Sequence, residues 1–350
     1  MMCATYPWSE HLSFHLSLRK TLNTFISKKW AIRFMAAVSA LTIAGGLAAQ
    51  TFPSKTIRLV VPFAPGGVVD ATARQIGPKL SELLGQPVVI ENRSGAGGTL
   101  AADYVAKAQP DGHTLLVAFD SHAVNPHIYK TELRYDTFKD LAPITFIGSI
   151  PLLLATHAGY PANDIAAFIN LAKSKPGTVS YASVGAGSSG HLAAEQLKLL
   201  ANFDMLHVPF KGGAPALTAL MGEQVQLIVF AAGAGVPLVQ AGKIKPLAIS
   251  GKRRSSALPG VPTMAEAGYP QLDSGAWMGL LAAAGTPPAV IARLNAEMTK
   301  VLKDPELIKK LADQAVELSA SSPEELGVLI RNEHDKWGKV IRDAKLNVSQ

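Results

Sequence analysis

The run Gly185-Ala186-Gly187-Ser188-Ser189-Gly190-His191 lies between an apolar, strand-like stretch (Val179 to Val184) and a helix-like one (His191 to Leu200). A glycine-rich turn from strand to helix is a cradle for an anion. Glycine lets the backbone come close to a ligand, and the unpaired N–H groups of the first helical turn carry the positive end of the macrodipole. A second turn of this kind, Pro62-Phe63-Ala64-Pro65-Gly66-Gly67-Val68-Val69-Asp70, follows the strand-like Ile57 to Val61. Two such cradles in one chain point to a carboxylate held between two lobes.

Other chemistries fit the same residues less well. Gly185 to Gly190 spells G-x-G-x-x-G, but a dinucleotide site needs an acidic residue at the end of the following strand. Here Asp204 precedes that strand and Phe210-Lys211 ends it. A serine nucleophile elbow needs glycine two residues to either side. Ser188 has Ala186 and Gly190 there, and Ser189 has Gly187 and His191. His122 and His127 lack the Cys or second His pair that would complete a metal site, so no metal and no cofactor is expected. The only cysteine, Cys3, lies near the start of the chain.

The elements that must position these turns alternate along the sequence. Ile57 to Val61, Val88 to Glu91, Thr114 to Phe119, Val179 to Ala182, Met205 to Pro209, Val225 to Phe230 and Ile244 to Ser250 read as strands. Asp70 to Leu84, Leu100 to Ala108, Asp164 to Ser174 and Pro215 to Gly222 read as helices. Such alternation predicts α/β lobes with mostly parallel sheets, ligands lying at the carboxyl ends of the strands. The tail is helical from Thr286, with starts at Pro287-Pro288, at Asp304-Pro305 and at the capping box Ser322-Pro323-Glu324-Glu325. No linker separates the halves, so interleaved lobes are expected. The first takes residues 52–150 plus 276–350 and the second 151–275.

Lys28, Lys29 and Arg33 precede an uncharged run from Phe34 to Ala49 that ends in small residues. This pattern predicts a cleavable export signal within residues 1–49, with a start codon that lies too far upstream. That segment holds five basic residues against Glu10, so +4 of the formal +7 belongs to it and +3 to the rest. A charge so small, without a basic stripe interleaved with aromatics, excludes a nucleic-acid partner. Lys252-Arg253-Arg254 reads as a solvated loop. The roughly 300 residues after the leader suffice for a core without disulfides.

Five stretches carry a family resemblance. They are Pro62-Phe63-Ala64-Pro65-Gly66-Gly67 with Asp70 and Ala73-Arg74; Glu91-Asn92-Arg93-Ser94-Gly95-Ala96-Gly97-Gly98; Tyr181-Ala182-Ser183 leading into Gly187-Ser188 and His191-Leu192; His207-Val208-Pro209-Phe210-Lys211-Gly212; and Pro262-Thr263-Met264-Ala265-Glu266-Ala267-Gly268. In this order they resemble the signature series of the Bug-type receptors, the periplasmic substrate-binding proteins of tripartite tricarboxylate transporters. The resemblance implies a two-lobed type II periplasmic binding protein fold that closes on a small organic acid. It also implies a periplasmic, monomeric receptor, not an enzyme, that hands its ligand to the membrane permease subunits of such a transporter. The alternative is a secreted or periplasmic enzyme acting on a small carboxylate or ester.

Carried onto this sequence, the resemblance places ligand contacts at Phe63, Ala64, Gly66, Gly67 and Asp70 of one lobe and at Ser183, Gly187, Ser188 and His191 of the other. Backbone N–H groups would then do most of the holding. Ser121 and His122, in a segment Asp120 to Pro126 read as a loop, join the candidate set. Some roles stay open at this point: Asp70 is either the N-cap of its helix or a ligand or water contact, and His191 is either structural or a contact. The family commonly has Asp or Asn after the phenylalanine that ends the Val225 to Phe230 strand, whereas this chain has Ala231. The swap of a polar group for a methyl-sized one leaves room for a bulkier or less polar acid.

Overall fold

The computed structural model describes residues 52–210, 212–273 and 275–346. The predicted export signal, Cys3 and the rest of the leader lie outside the described residues. The described residues form one compact unit built on two sheets.

The first sheet has the strand order β11-β4-β10-β3-β1-β2. Its strands are β1 (Ile57–Val61), β2 (Val88–Asn92), β3 (Thr114–Phe119), β4 (Leu141–Ile150), β10 (Ala276–Ala283) and β11 (Glu317–Leu318). The second has the order β7-β6-β8-β5-β9, from β5 (Leu152–His157), β6 (Ser180–Ser183), β7 (Leu206–Pro209), β8 (Leu227–Ala231) and β9 (Ile244–Ile249). The helices are α1 (Val68–Leu84), α2 (Thr99–Ala106), α3 (Ser121–Ile128), α4 (Ile165–Ser174), α5 (Ser189–Ala201), α6 (Gly213–Met221), α7 (Val236–Gln240), α8 (Pro288–Leu302), α9 (Pro305–Ala312) and α10 (Pro323–Asp343). None of the helices among the described residues is long and apolar enough to cross a membrane.

Both faces of the central strands are covered, so they read as unbroken apolar runs rather than alternating ones. In β1, Leu59 and Val61 pack with Val69, Ala73, Ile76 and Leu80 of α1, which also meets Leu294 and Met298 of α8. Val60 faces the other way, toward Ala101 and Val105 of α2 and Leu326 of α10. Burying a side chain of this kind is worth about 1.5–3 kcal/mol, which is how a short, weakly polar strand holds its place. Helix starts follow the capping signals. The Asp164 carboxylate accepts from the Ala167 N–H, Asp304 caps α9, and Ser322 with Glu325 forms a complete capping box on α10.

The sheets are mixed, where the sequence pattern pointed to mostly parallel ones. β1 pairs parallel with β2 and β3, and β6 pairs parallel with β7 and β8. β10 runs antiparallel to β3 and β4, and β5 runs antiparallel to β8 and β9. The reason is topological. The strands legible in the sequence are mostly those feeding a following helix, which must be parallel; β4, β5 and β10 carry the chain between sheets and so run in opposite senses. Only Pro151 separates β4 from β5, and the chain returns ahead of β10, where Ala276 pairs with Ile150. A Cβ on Gly275 would stand 2.5 Å from the Ile150 carbonyl oxygen, so the two passages lie against one another.

Asp120 to Pro126, expected as a loop, begins helix α3. Pro126 sits inside that helix and masked it in the sequence.

Candidate functional site

Both glycine turns sit at the carboxyl end of a parallel strand, β1 for the first and β6 for the second, and each feeds a helix. In the first, Gly66 takes φ +89°, a conformation that suits glycine, and its N–H donates to Asp70 Oδ2 at 2.9 Å. In the second, Gly187 takes φ +73° and its N–H donates to His191 Nδ1 at 2.9 Å. The same device appears twice: a glycine N–H folded back onto the side chain four residues later.

Asp70 is buried and fully engaged. Its Oδ2 also accepts from Arg74 Nε at 3.0 Å, and its Oδ1 accepts from Asn92 Nδ2 at 2.9 Å. Asn92 donates as well to the Phe63 carbonyl oxygen at 2.9 Å, and so ties β2 to the turn. Burial alone would raise the Asp70 pKa, but the bonds from Arg74, Gly66 and Asn92 outweigh it and hold the carboxyl below its ordinary value. The N-cap of α1 is Gly67, with no side-chain cap, so the N-cap role weighed for Asp70 falls to Gly67, and Asp70 lies inside the first turn. The first full helical bond runs from Ala71 N–H to the Gly67 carbonyl. The N–H groups of Val68 and Val69 therefore have no acceptor within the helix. Phe63 is half-buried, edge-on to Phe119 with ring centroids 5.5 Å apart, and Ala64 is exposed.

The second turn is held by an aromatic stack in which Tyr181 and His191 are buried and His207 is half-buried. His191 lies on His207 with centroids 3.9 Å apart and planes 11° from parallel, and His207 lies on Tyr181 at 4.9 Å. Because Nδ1 of His191 accepts from Gly187, the neutral ring carries its proton on Nε2. Burial pushes the His191 pKa down to about 4, helped by the Lys198 charge. It pushes His207 down to about 3, with the neighbouring His191 adding to the effect. Ser188 is the N-cap of α5: its hydroxyl donates to the Gly185 carbonyl at 2.7 Å and accepts from the His191 N–H. The Ser188 N–H in turn donates to Gly185 O at 3.2 Å. Ser183 is wholly buried and lies 2.7 Å from His207 Nε2. That spacing suits a nucleophile and its base, but the hydroxyl donates to Gly185 O at 2.9 Å. Among the described residues no group of His, Cys, Asp and Glu is arranged to hold a metal ion.

Each turn lies at a seam with an element that follows a strand of the other sheet. A Cβ on Gly187 would stand 1.7 Å from Ile128 Cδ1 at the end of α3, and one on Gly233 would stand 3.5 Å from Val68 Cγ2 in the first turn of α1. Val124 of α3, Leu192 of α5 and Trp337, Val340 and Ile341 of α10 form one apolar cluster across this seam. Ala231 ends β8 opposite Leu152, half-buried, just before the turn that carries Gly233. The other two candidates sit in α3. Ser121 donates to the Gly97 carbonyl at 2.9 Å. His122 is buried against Tyr135 with its Nε2 unpartnered and its pKa pushed down to about 4 by burial.

Sequence reasoning assigned no role to Asn92, Arg74 or His207, although all three lie in its quoted motifs, and it passed over Asp120 and Ile128. The signal for His207 is the pairing of β6 with β7, which sets Tyr181 beside His207 in register. The apolar residues of α3 at Ala123, Val124 and Ile128 would have betrayed a helix at the seam, had Pro126 not interrupted the pattern.

Residues 72–346 match the family model of the tripartite tricarboxylate transporter family receptor. The chain belongs to that family. The solved structure of the periplasmic binding protein BugD is 31% identical, with a TM-score of 0.76, over 84% of this chain and 99% of that one. Rpa4515 of R. palustris, solved with adipate, is 35% identical with a TM-score of 0.79, covering 84% of this chain and 98% of its own. MatC from Rhodopseudomonas palustris, solved with bound malate, is 36% identical with a TM-score of 0.75, over 83% and 100%. The receptor is therefore a Bug-type periplasmic solute-binding protein with the two-lobed type II fold.

Proposed function

We propose that this receptor captures a small organic acid by one carboxylate between the first turns of α1 and α5, and delivers it as a monomer to the membrane subunits of a tripartite tricarboxylate-type transporter. The observation that carries the reading is that each of the two helix starts, one uncapped and one serine-capped, borders an element of the other sheet, α1 through Val68 beside Gly233 and α5 through Gly187 beside Ile128. Two helix N-termini aimed at one carboxylate contribute roughly 0.3–2 kcal/mol each beyond their hydrogen bonds. Since Gly66, Gly187 and Ser188 use their N–H groups inside the turns, the holding donors are those of Gly67, Val68 and Val69 on one side and Ser189 and Gly190 on the other. The glycines then act by shape and by orienting the chain.

In this reading the lobes comprise residues 52–150 with 276–350, and residues 151–275, and the leader to residue 49 is removed on export to the periplasm. The structures with adipate and malate support a dicarboxylate, and the apolar Ala231-Ala232 at the end of β8 favours a ligand whose middle is hydrocarbon rather than polyhydroxylated. The Ser183 hydroxyl is turned onto the Gly185 carbonyl, which supports binding rather than hydrolysis. A thermal-shift screen over aliphatic dicarboxylates, tricarboxylates and aromatic acids tests it. A cognate acid at 100 times its Kd stabilises the fold by about 2.7 kcal/mol. Turnover of an ester, with no acid shifting the melting point, would overturn the proposal.

A further inference from the structure

Asp120 is an acidic group buried in the seam between the lobes. It follows β3 at its carboxyl end, where ligands of such sheets lie, and it stands at the start of α3. It is only 3% exposed, and its Oδ2 has no hydrogen-bond partner. The groups that meet the carboxyl come from both lobes: the Ser189 hydroxyl in the first turn of α5, and the Ser121 N–H of its own helix. From α10 the charge it feels is that of Glu333, itself half committed to Trp337 Nε1 at 2.7 Å and balanced by Lys336. His122 beside it on α3 stays neutral through burial. Among the described residues, the groups acting on Asp120 include no cation. A carboxylate left bare in such a place is costly, whereas a carboxylic acid there is a ready hydrogen-bond donor.

Resting on the receptor reading above, we propose that Asp120 contacts the bound acid in its protonated form, donating from Oδ2 to a ligand carboxylate oxygen next to the first turn of α5. Two carboxylates cannot share one dry site unless a proton lies between them. Above the pH at which free Asp120 ionises, capture of the ligand therefore takes up one proton from water; below it, capture takes up none. Burial already raises the free group to about 7, with the Glu333 charge adding to it and the nearby Ser189 hydroxyl and Ser121 N–H opposing it. The coupling falls within the neutral range.

Calorimetry with malate and adipate on the folded receptor tests this, between pH 6.5 and 8.5, where both probes are fully ionised. Affinity is expected to fall toward tenfold per pH unit at the upper end. In buffers of different ionisation enthalpy, the wild type should take up close to one proton per ligand at pH 8. Asp120→Asn keeps a donor without the titration. Its affinity should show a flat pH profile, and its binding no proton uptake. A carbon-13 titration of the free receptor should place the Asp120 midpoint near neutrality, and this readout needs no ligand. A midpoint below pH 5, or ligand binding with no proton uptake at pH 8, overturns the proposal. So does an Asp120→Asn profile as steep as the wild type's. If Asp120→Asn does not fold, proton uptake by the wild type decides alone. If the midpoint is neutral but no acid in the wider screen binds, the receptor reading fails, and the contact fails with it.

Discussion

The two cradles share a backbone plan and differ in what enforces it. In the first, an ionised carboxylate holds Gly66, and Arg74 and Asn92 hold the carboxylate. In the second, a neutral imidazole holds Gly187, and a ring stack holds the imidazole. The surroundings differ as well. A Cβ on Gly66 would meet nothing within 4 Å, while one on Gly190 would stand 2.0 Å from the Val229 carbonyl oxygen. One turn is polar, open and charge-balanced; the other is dry and jammed against the sheet. The same ligand chemistry can thus be built on opposite physical footings, and the two should fail under different stresses.

Acid should separate them most strongly. His122, His191 and His207 are all held neutral, pushed down by burial to about 4, 4 and 3. A histidine with a depressed folded pKa contributes stability that is present above its unfolded value near 6.5 and lost as pH falls toward the folded one. Asp120, raised to about 7, acts in the opposite direction: its contribution is present at low pH and lost as pH rises from about 4 to 7. Three groups outweigh one, so stability should drop by several kcal/mol between pH 6.5 and 4.5. Asp70, lowered from its ordinary value, yields only below about pH 4. Urea denaturation across this window checks it. His191→Asn, whose amide oxygen can take the Gly187 N–H, should flatten the slope, while Asp70→Asn should leave it. A stability flat from pH 6.5 to 4.5 would refute the neutral stack.

Steric crowding should separate them next. Gly190→Ala drives a methyl into a backbone carbonyl that cannot move without shifting β8, and it should cost about 3 kcal/mol or more. Gly66→Ala has open space and pays only for a left-handed backbone, about 1–2 kcal/mol. Melting of the two variants side by side is the measurement. Equal losses would mean that α5 does not pack on β8 as closely as described.

The sequence shows one half of this comparison better than the other. Strands β1 and β3 and the starts of α8, α9 and α10 were legible because their signals are local: apolar runs ahead of a helix, Pro at the first helical position, a capping box. The crossing strands β4, β5 and β10 were not, because what makes Leu141–Ile150 and Ala276–Ala283 strands is each other, across more than a hundred residues. At the site, glycine spelling marks both turns, and Asp70 lies within one of them. The His191–His207 stack is invisible until β6 and β7 pair, and the Asp120–Ser189 contact until the lobes meet. Local chemistry is written in the chain, whereas contacts made by topology must be seen.

The smallest effects distinguish shape from hydroxyl chemistry at the two helix starts. Ser188 caps α5, so Ser188→Ala should cost about 1 kcal/mol of stability. It removes no backbone donor, and ligand affinity should stay within a few-fold. Gly67 has φ −76° and ψ 166°, which valine adopts readily, and an added Cβ would lie 3.8 Å from the Ala64 carbonyl, in ordinary contact. Gly67→Val should therefore change stability by less than about 0.5 kcal/mol. Its branched side chain nevertheless stands over the first-turn N–H groups of α1, and affinity for a dicarboxylate should fall at least tenfold. Calorimetry on both folded variants gives the answer. Loss of binding in Ser188→Ala with Gly67→Val unaffected would mean that side-chain hydroxyls, not helix N–H groups, hold the carboxylate.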